Sequence, residues 1–384
     1  MTMTVLVNAG PWLSVPPPGY GGIENVLTAL VPELRRRGVR VVLATVGTST
    51  LPVDERVAVF PDGRFADLQK PYNRVCGIAA AHLHRVVREV RRRDDLVLVH
   101  DHQEAFGLAM LAALGPDAPP VLHTLHWDLR KHPELYGDVD GGGALWVNGV
   151  SAAQLGTAPP ALQALSVGHV HLATPLAVGA DRRGGVPKGD YLVVMGRITP
   201  VKGQAVAARL AHRTGIPLVL AGPVGPHHDV DDVAPGLADE DNPDVRYWRE
   251  EVEPLVDGRL VRWVGTVAGA ERDALVATAR VSLTPIDWEE PGGTAVVESL
   301  ALGTPVVGFR RGCLPELIDD GRTGLLVDPG DEDALAAAVT DAARLDPAGC
   351  CGVAADRFTP ARMAERYLGL YDEVLMRSGR PVRV

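Results

Sequence analysis

The feature that most restricts this chain is an alternation that runs through it twice. Short stretches, apolar on both faces, take turns with segments of helical period. Thr4–Asn8 is the first such stretch, closed by a Gly-Pro turn, and the segment Ile23–Arg37 sets Val26, Leu27, Leu30 and Leu34 on one helical face. Strands are then expected at Arg40–Ala44, Leu96–His100, Pro120–Thr124 and Leu145–Val150, with a long helix over 77–92. The pattern restarts with strands over 191–195, 217–221, 261–264 and 280–284, helices over 203–212, 269–278 and after Pro291, and late strands at 305–308 and 324–327. Strands buried on both faces and joined by helices make a parallel sheet, so the expected class is α/β, with two such domains facing each other across a cleft. Residues 173–188, rich in Gly and Pro, read as the linker. Gln163–His171 stays open between strand and loop. Asp229–Glu253, acidic and weakly periodic, reads as an insertion or mobile loop at the cleft rim.

Size and charge narrow the function classes. A chain of 384 residues suits two ordinary domains, and 46% apolar residues suffice for two cores. A net charge of −10 argues against nucleic acid or an anionic membrane as main partner. The basic triplets Arg35–Arg37 and Arg91–Arg93 close predicted helices, where cations oppose the helix dipole. Four cysteines without zinc spacing, and no apolar run of membrane-spanning length, fit a reducing compartment and a cytoplasmic location.

In open parallel sheets ligands bind beyond the strand carboxyl ends, so the motifs there carry the chemistry. In Asp287–Glu298 two carboxylates, Glu290 and Glu298, flank a Pro-Gly-Gly turn that opens a helix, with Thr294 as the expected N-cap. The amides of Gly293 to Ala295 would face an anion, and a phosphate between two hydroxyl-accepting carboxylates suits a sugar nucleotide. Two solvated glutamates on a capped core helix are the alternative. Arg197 and Lys202, across a turn after the strand over 191–195, can face one diphosphate, or can be surface charges. Gly222 ends another strand and would allow close approach of a ligand. Gly21 and Gly22 would bring bare amides to the first helix. His100 and His102 would point to opposite sides if extended, which disfavours a metal. His126 is either within reach of a substrate hydroxyl or structural.

Together these segments resemble the retaining glycosyltransferases of family 4, which have the two-domain GT-B fold of Rossmann-like domains. The likeness spans nearly the whole chain. It rests on Gly19-Tyr20-Gly21-Gly22-Ile23-Glu24, Leu125-His126, Gly196-Arg197 with Lys202-Gly203, Glu290 through Glu298, and the stretches 301–307 and 321–327. The Pro-Pro-x-Gly-Tyr-Gly-Gly-Ile start and the Glu-Pro-Gly turn are similar to antibiotic-tailoring members. The resemblance implies an acceptor-side domain over 1–175, completed by the C-terminal helix at 360–384, and a nucleotide-sugar domain over 176–359. It implies that Arg197 and Lys202 bind the donor diphosphate, Glu298 the ribose and Glu290 the transferred sugar. Gly292, Gly293 and Thr294 would supply nearby donors, Gly22 would approach the diphosphate, and the segment ending at Val267 would lie along the base. His126 would sit by the reacting sugar.

The implied donor is a UDP-, GDP- or dTDP-sugar, the acceptor a small molecule or glycan, and the chemistry needs neither metal nor cofactor. Domain closure would exclude water, and a homodimer is compatible. Pro291 and Gly293 depart from the commoner Glu-Gly-Phe-Gly pattern, which leaves the sugar contacts open. A nucleotide-sugar epimerase or pseudo-glycosyltransferase of the same fold, and a non-catalytic sugar-nucleotide-binding protein, are the competing readings.

Overall fold

A computed structural model describes residues 3–19, 21–183, 185–230 and 242–380. The chain divides into two compact units, residues 1–173 with 360–384, and residues 174–359. In the first, β1 (Thr4–Asn8), β2 (Arg40–Thr45), β3 (Glu55–Ala58), β4 (Leu96–Asp101), β5 (Val121–Thr124), β6 (Leu145–Gly149) and β7 (Ser166–His169) form a sheet of order β3-β2-β1-β4-β5-β6-β7 among the described residues. Every pairing is parallel. The second unit has β8 (Leu192–Met195), β9 (Leu218–Ala221), β10 (Val261–Trp263), β11 (Val281–Thr284), β12 (Val306–Phe309) and β13 (Gly324–Val327), ordered β10-β9-β8-β11-β12-β13 and again all parallel.

In each sheet the strand order reverses beside the first strand, at β1/β4 and at β8/β11. The loops leaving those strands therefore diverge and open a crevice at the carboxyl edge. Both faces of each sheet are covered, which is why Val5, Leu6 and Val7 are all buried in spite of their alternating directions.

The terminal helix Pro360–Arg377 belongs to the first unit. Met363, Tyr367, Tyr371, Val374 and Leu375 join its core with Leu27, Leu30 and Leu34 of the helix Gly22–Arg36. Within the arginine triplets, Arg35 pairs with Asp54, Arg36 and Arg37 with Glu33, and Arg93 with Glu55 and Asp95.

Three expectations need correction. The supposed linker is built into the second unit at its start. Two short 3-10 turns, Pro175–Ala177 and Ala180–Arg182, bury Ala177 and Ala180, and the Thr174 amide donates to the Phe358 carbonyl at 3.0 Å. Residues 243–252, expected in an insertion or mobile loop, form the helix Pro243–Tyr247 and a π-turn that bury Val245, Tyr247, Trp248 and Val252; residues 231–241 lie outside the described residues. Charges interleaved with the apolar positions hid a small apolar face here. Finally, the helix Thr294–Ala301 is capped by Gly293, in the left-handed region at φ 59°, and not by Thr294. The segment left open between strand and loop contains β7.

Candidate active site

The second sheet's crossover gathers two loops. The loop after β8 runs through the turn Pro200–Lys202 into the helix Gln204–Thr214, and the loop after β11 runs through Pro291 into the helix Thr294–Ala301. They are stitched together by the Asp287 amide, which donates to the Val201 carbonyl at 3.0 Å. Gly203 makes the approach feasible, since a Cβ there would lie 2.0 Å from the Pro285 carbonyl oxygen.

Glu290 is the hub of this site. Its Oε2 accepts from Lys202 Nζ in a short ion pair and from Trp288 Nε1 at 3.0 Å, and its Oε1 accepts from the Gly293 amide at 3.4 Å. The Lys202 ammonium also lies 5.2 Å from the centre of the Trp288 ring. One helix-terminal amide, expected to be free, is thus occupied by Glu290. The opposite wall is held by the loop after β12: Arg311 pairs with Asp287 and Glu289, the Gly312 amide donates to Glu289 at 2.7 Å, and the Cys313 amide donates to the Glu290 carbonyl at 2.9 Å.

Glu298, one turn into the helix, is engaged by Arg272 at 3.2 Å, and Arg272 is itself braced by Asp273 at 2.7 Å. Burial raises the Glu298 carboxyl above the ordinary carboxylate range, and the Arg272 charge opposes that rise. Arg197 does not share a group with Lys202. It is half-exposed and reaches Asp244 at 3.5 Å, while its own carbonyl accepts from Gln204 Nε2 at 2.8 Å. Gly292 and Gly293 are buried at the turn, Thr294 is exposed at the helix start, and Val267 is half-buried ahead of the helix Gly269–Thr278.

Gly222 has a packing role that the sequence does not reveal. At φ 147° its Cβ would stand 2.0 Å from the Gly196 carbonyl oxygen, and its carbonyl accepts from Trp263 Nε1 at 2.8 Å. A ligand need not be invoked to explain this glycine. Gly222→Ala should therefore lower unfolding free energy by roughly 2 kcal/mol or more, from backbone strain plus the clash, as measured by urea titration.

At the first sheet's crossover the side chains are largely imidazoles. Asp101, fully buried, accepts from Asn8 Nδ2 and from His123 Nδ1, both at 2.6 Å. His82 Nε2 meets Asn8 Oδ1 at 2.6 Å. His100 and His102 do not diverge as expected. Residues two apart share a strand face, and their ring centres are 4.1 Å apart. His126 Nε2 lies 2.9 Å from His102 Nδ1, and burial drives the His126 pKa down to about 3. Gly22 heads the helix Gly22–Arg36 with open space around it, whereas a Cβ on Gly21 would strike Pro17 at 2.7 Å. Tyr20 lies outside the described residues.

Arg272, Asn8 and the Asp101–His123 pair carry no sequence motif. Their partners are 26, 93 and 22 positions away, a distance over which only the fold can match them.

Two doubly wound parallel units are the make-up of the GT-B fold, and similarity to known proteins agrees with it. Residues 20–150 match the model for "Glycosyltransferase Family 4", and residues 181–348 match "Glycosyl transferases group 1". The α-maltose-1-phosphate synthase of Mycolicibacterium smegmatis is 28% identical over 94% of this chain and 97% of its own length. The sucrose synthase of Acidithiobacillus caldus is 33% identical over 50% of this chain, which spans only 26% of that larger protein. AviGT4, a glycosyltransferase involved in avilamycin A biosynthesis, matches with a TM-score of 0.67, 26% identity and coverage of 97% and 98% of the two chains. The chain belongs to the family 4 glycosyltransferases and has the GT-B fold.

Proposed function

We propose that this chain moves a sugar from a nucleoside diphosphate sugar to an acceptor hydroxyl, with retention of configuration and without a metal. The observation that supports this most is the Lys202–Glu290–Gly293 cluster at the β8/β11 crossover, one helical turn from the Arg272–Glu298 pair. The spacing offers an anion site between two carboxylates. Lys202 and the amides at the head of the helix Thr294–Ala301 would meet the charge that grows on the diphosphate as the anomeric bond breaks. Arg197, half-exposed and loosely held by Asp244, is free enough to swing onto the same phosphates.

Glu298, fixed by Arg272, would accept the ribose hydroxyls. Glu290 would hold hydroxyls of the transferred sugar once Lys202 turns to the diphosphate, with Gly292, Gly293 and Thr294 beside it. Val267 is assigned to the base. In the first unit, Gly21, Gly22 and His126 are assigned to the phosphate and sugar on family resemblance. The acceptor proton passes to the departing phosphate oxygen on the face the leaving group vacates, so the two-step inversion of a covalent route is not required. The kinship with AviGT4 favours a natural-product acceptor.

Titrating UDP-, GDP- and dTDP-sugars by calorimetry, and following anomeric protons by NMR with trial acceptors, tests the reading. An α-donor should yield an α-product. Inversion at C2 of the unattached nucleotide sugar would instead identify an epimerase, and tight binding without turnover a binding protein. Glu298→Ala should weaken donor binding by roughly 1.5–3 kcal/mol, the range for a hydrogen bond to a charged group. Unchanged affinity would remove Glu298 from the site.

A further inference from the structure

The imidazoles at the β4 and β5 carboxyl ends are more numerous than the proposed reaction needs, and their hydrogen bonds fix where several protons sit. Asn148 Nδ2 donates to the Gly149 carbonyl at 3.0 Å, so its Oδ1 is the atom that accepts from the Thr124 hydroxyl at 2.8 Å. With the Thr124 proton committed, His100 Nε2, 2.8 Å from the same oxygen, must be the donor. His100 Nδ1 then accepts from the Tyr371 hydroxyl at 2.8 Å. Asn8 is oriented in the same way. Its Nδ2 donates to Asp101, so its Oδ1 accepts from the Gly10 amide at 3.2 Å and from His82 Nε2.

His102 stands inside this frame. Its amide donates to the Asn8 carbonyl at 3.1 Å and its ring packs against His100. Its Nδ1 meets His126 Nε2, and its own Nε2 is buried without a partner. Burial keeps both rings neutral, so one proton lies between them and it can sit on either nitrogen. If it sat on His126, the second proton of the pair would leave an N–H of His102 orphaned in the interior. A bare lone pair there is the smaller penalty, because buried N–H groups without acceptors are the rarer exception.

We infer that His102 donates from Nδ1 to Nε2 of His126 and thereby holds His126 as its Nδ1–H tautomer, a hydrogen-bond donor and not a base. His126 then has one nitrogen engaged and the other already protonated. It can grip an oxygen of the sugar or phosphate but cannot take the acceptor's proton, which leaves that proton to the leaving phosphate. His102 is a positioning residue. The functional half of this inference rests on the sugar-site reading of His126, and the tautomer half does not.

The test uses the full chain labelled with 15N in its histidine rings. A long-range 1H–15N spectrum of the wild type, with the His126 signals assigned by their loss in His126→Gln, should show a protonated Nδ1 and a bare Nε2. The reverse pattern, or a charged ring at neutral pH, overturns the inference. His102→Phe keeps a ring against His100 but removes the donor. His126 should then populate both tautomers, and turnover should fall about tenfold, the loss of one hydrogen bond, with donor KM nearly unchanged. Should that variant fail to fold, the wild-type spectrum decides alone. A wild-type Nδ1–H spectrum together with full activity in His126→Ala would sink the sugar-site reading and leave the tautomer assignment standing.

Discussion

Replacing Lys202 with methionine should cut turnover by roughly 100- to 1,000-fold, the scale lost when one preorganised group at a developing charge is removed. Folding should hardly change. The Lys202–Glu290 pair is partly open to solvent, at 25% and 14% exposure, and pairs of that kind contribute about 1 kcal/mol or less. Glu290 would also keep its bonds from Trp288 Nε1 and the Gly293 amide, so no carboxylate is stranded. The charge therefore matters for the reaction more than for the resting protein. Steady-state donor consumption and a thermal melt on the same preparations separate the two effects. Lys202→Arg, which keeps the charge in a different shape, should recover part of the rate. Equal loss of rate and melting temperature would make Lys202 a structural lysine and leave the diphosphate without its main counter-charge.

The second large effect is on acid stability. His82, His100 and His102 are at most 2% exposed, and burial lowers His82 to about 4 and the other two well below their ordinary value of 6.5. In the fold these rings are neutral. In the unfolded chain they bind protons near 6.5. Between that value and the lowered ones the unfolded state carries more protons, so stability is full above 6.5 and falls as pH drops. These three alone give a slope of about 4 kcal/mol per pH unit once the unfolded rings are charged, and His126, lowered to about 3, adds to it. Some one and a half units of acidification then removes roughly 6 kcal/mol, comparable to a domain's whole stability. Calorimetry from about pH 7.5 down to about pH 5 should show the transition of the first unit collapsing. The histidines with lowered values all lie in that unit, so the transition of residues 174–359 should move much less. His82→Gln should flatten the slope by about one proton's worth. A pH-independent melt would mean that the interior admits water to these rings.

Much of the scaffold is legible in the chain because periodicity and burial are local. Runs such as Leu218–Ala221 and Val306–Phe309 have no polar residue to place on a wet face, and the parallel sheet follows. The helix over 269–278 has the bounds read from its residues. The short β3 (Glu55–Ala58) escapes because only Val57 of its four residues is buried. Residues 243–252 escape because their apolar positions are scattered among charges.

The candidate site divides along the same line. Lys202, Glu290 and Gly293 stand on loops that the crossover must bring together, and the structure does so. Arg272 and Asp101 are visible only as charges on a helix and at a strand end. Nothing near them in the chain tells which carboxylate or imidazole they face. His100 and His102 point the same way for a simpler reason: alternate residues of a strand share a face.

The helix Pro360–Arg377 has a consequence for how the molecule comes into being on the ribosome. Residues 174–359 are one uninterrupted stretch and have all their core partners when the last of them emerges. The amino-terminal half, synthesised first, lacks Tyr367 and Tyr371 until the whole of residues 174–359 has been made, and Tyr371 supplies the hydroxyl bonded to His100. The earlier-made unit must wait for its own closing helix, which follows the other unit in the chain, and a chain halted before Pro360 would expose an apolar seam along Leu27, Leu30 and Leu34.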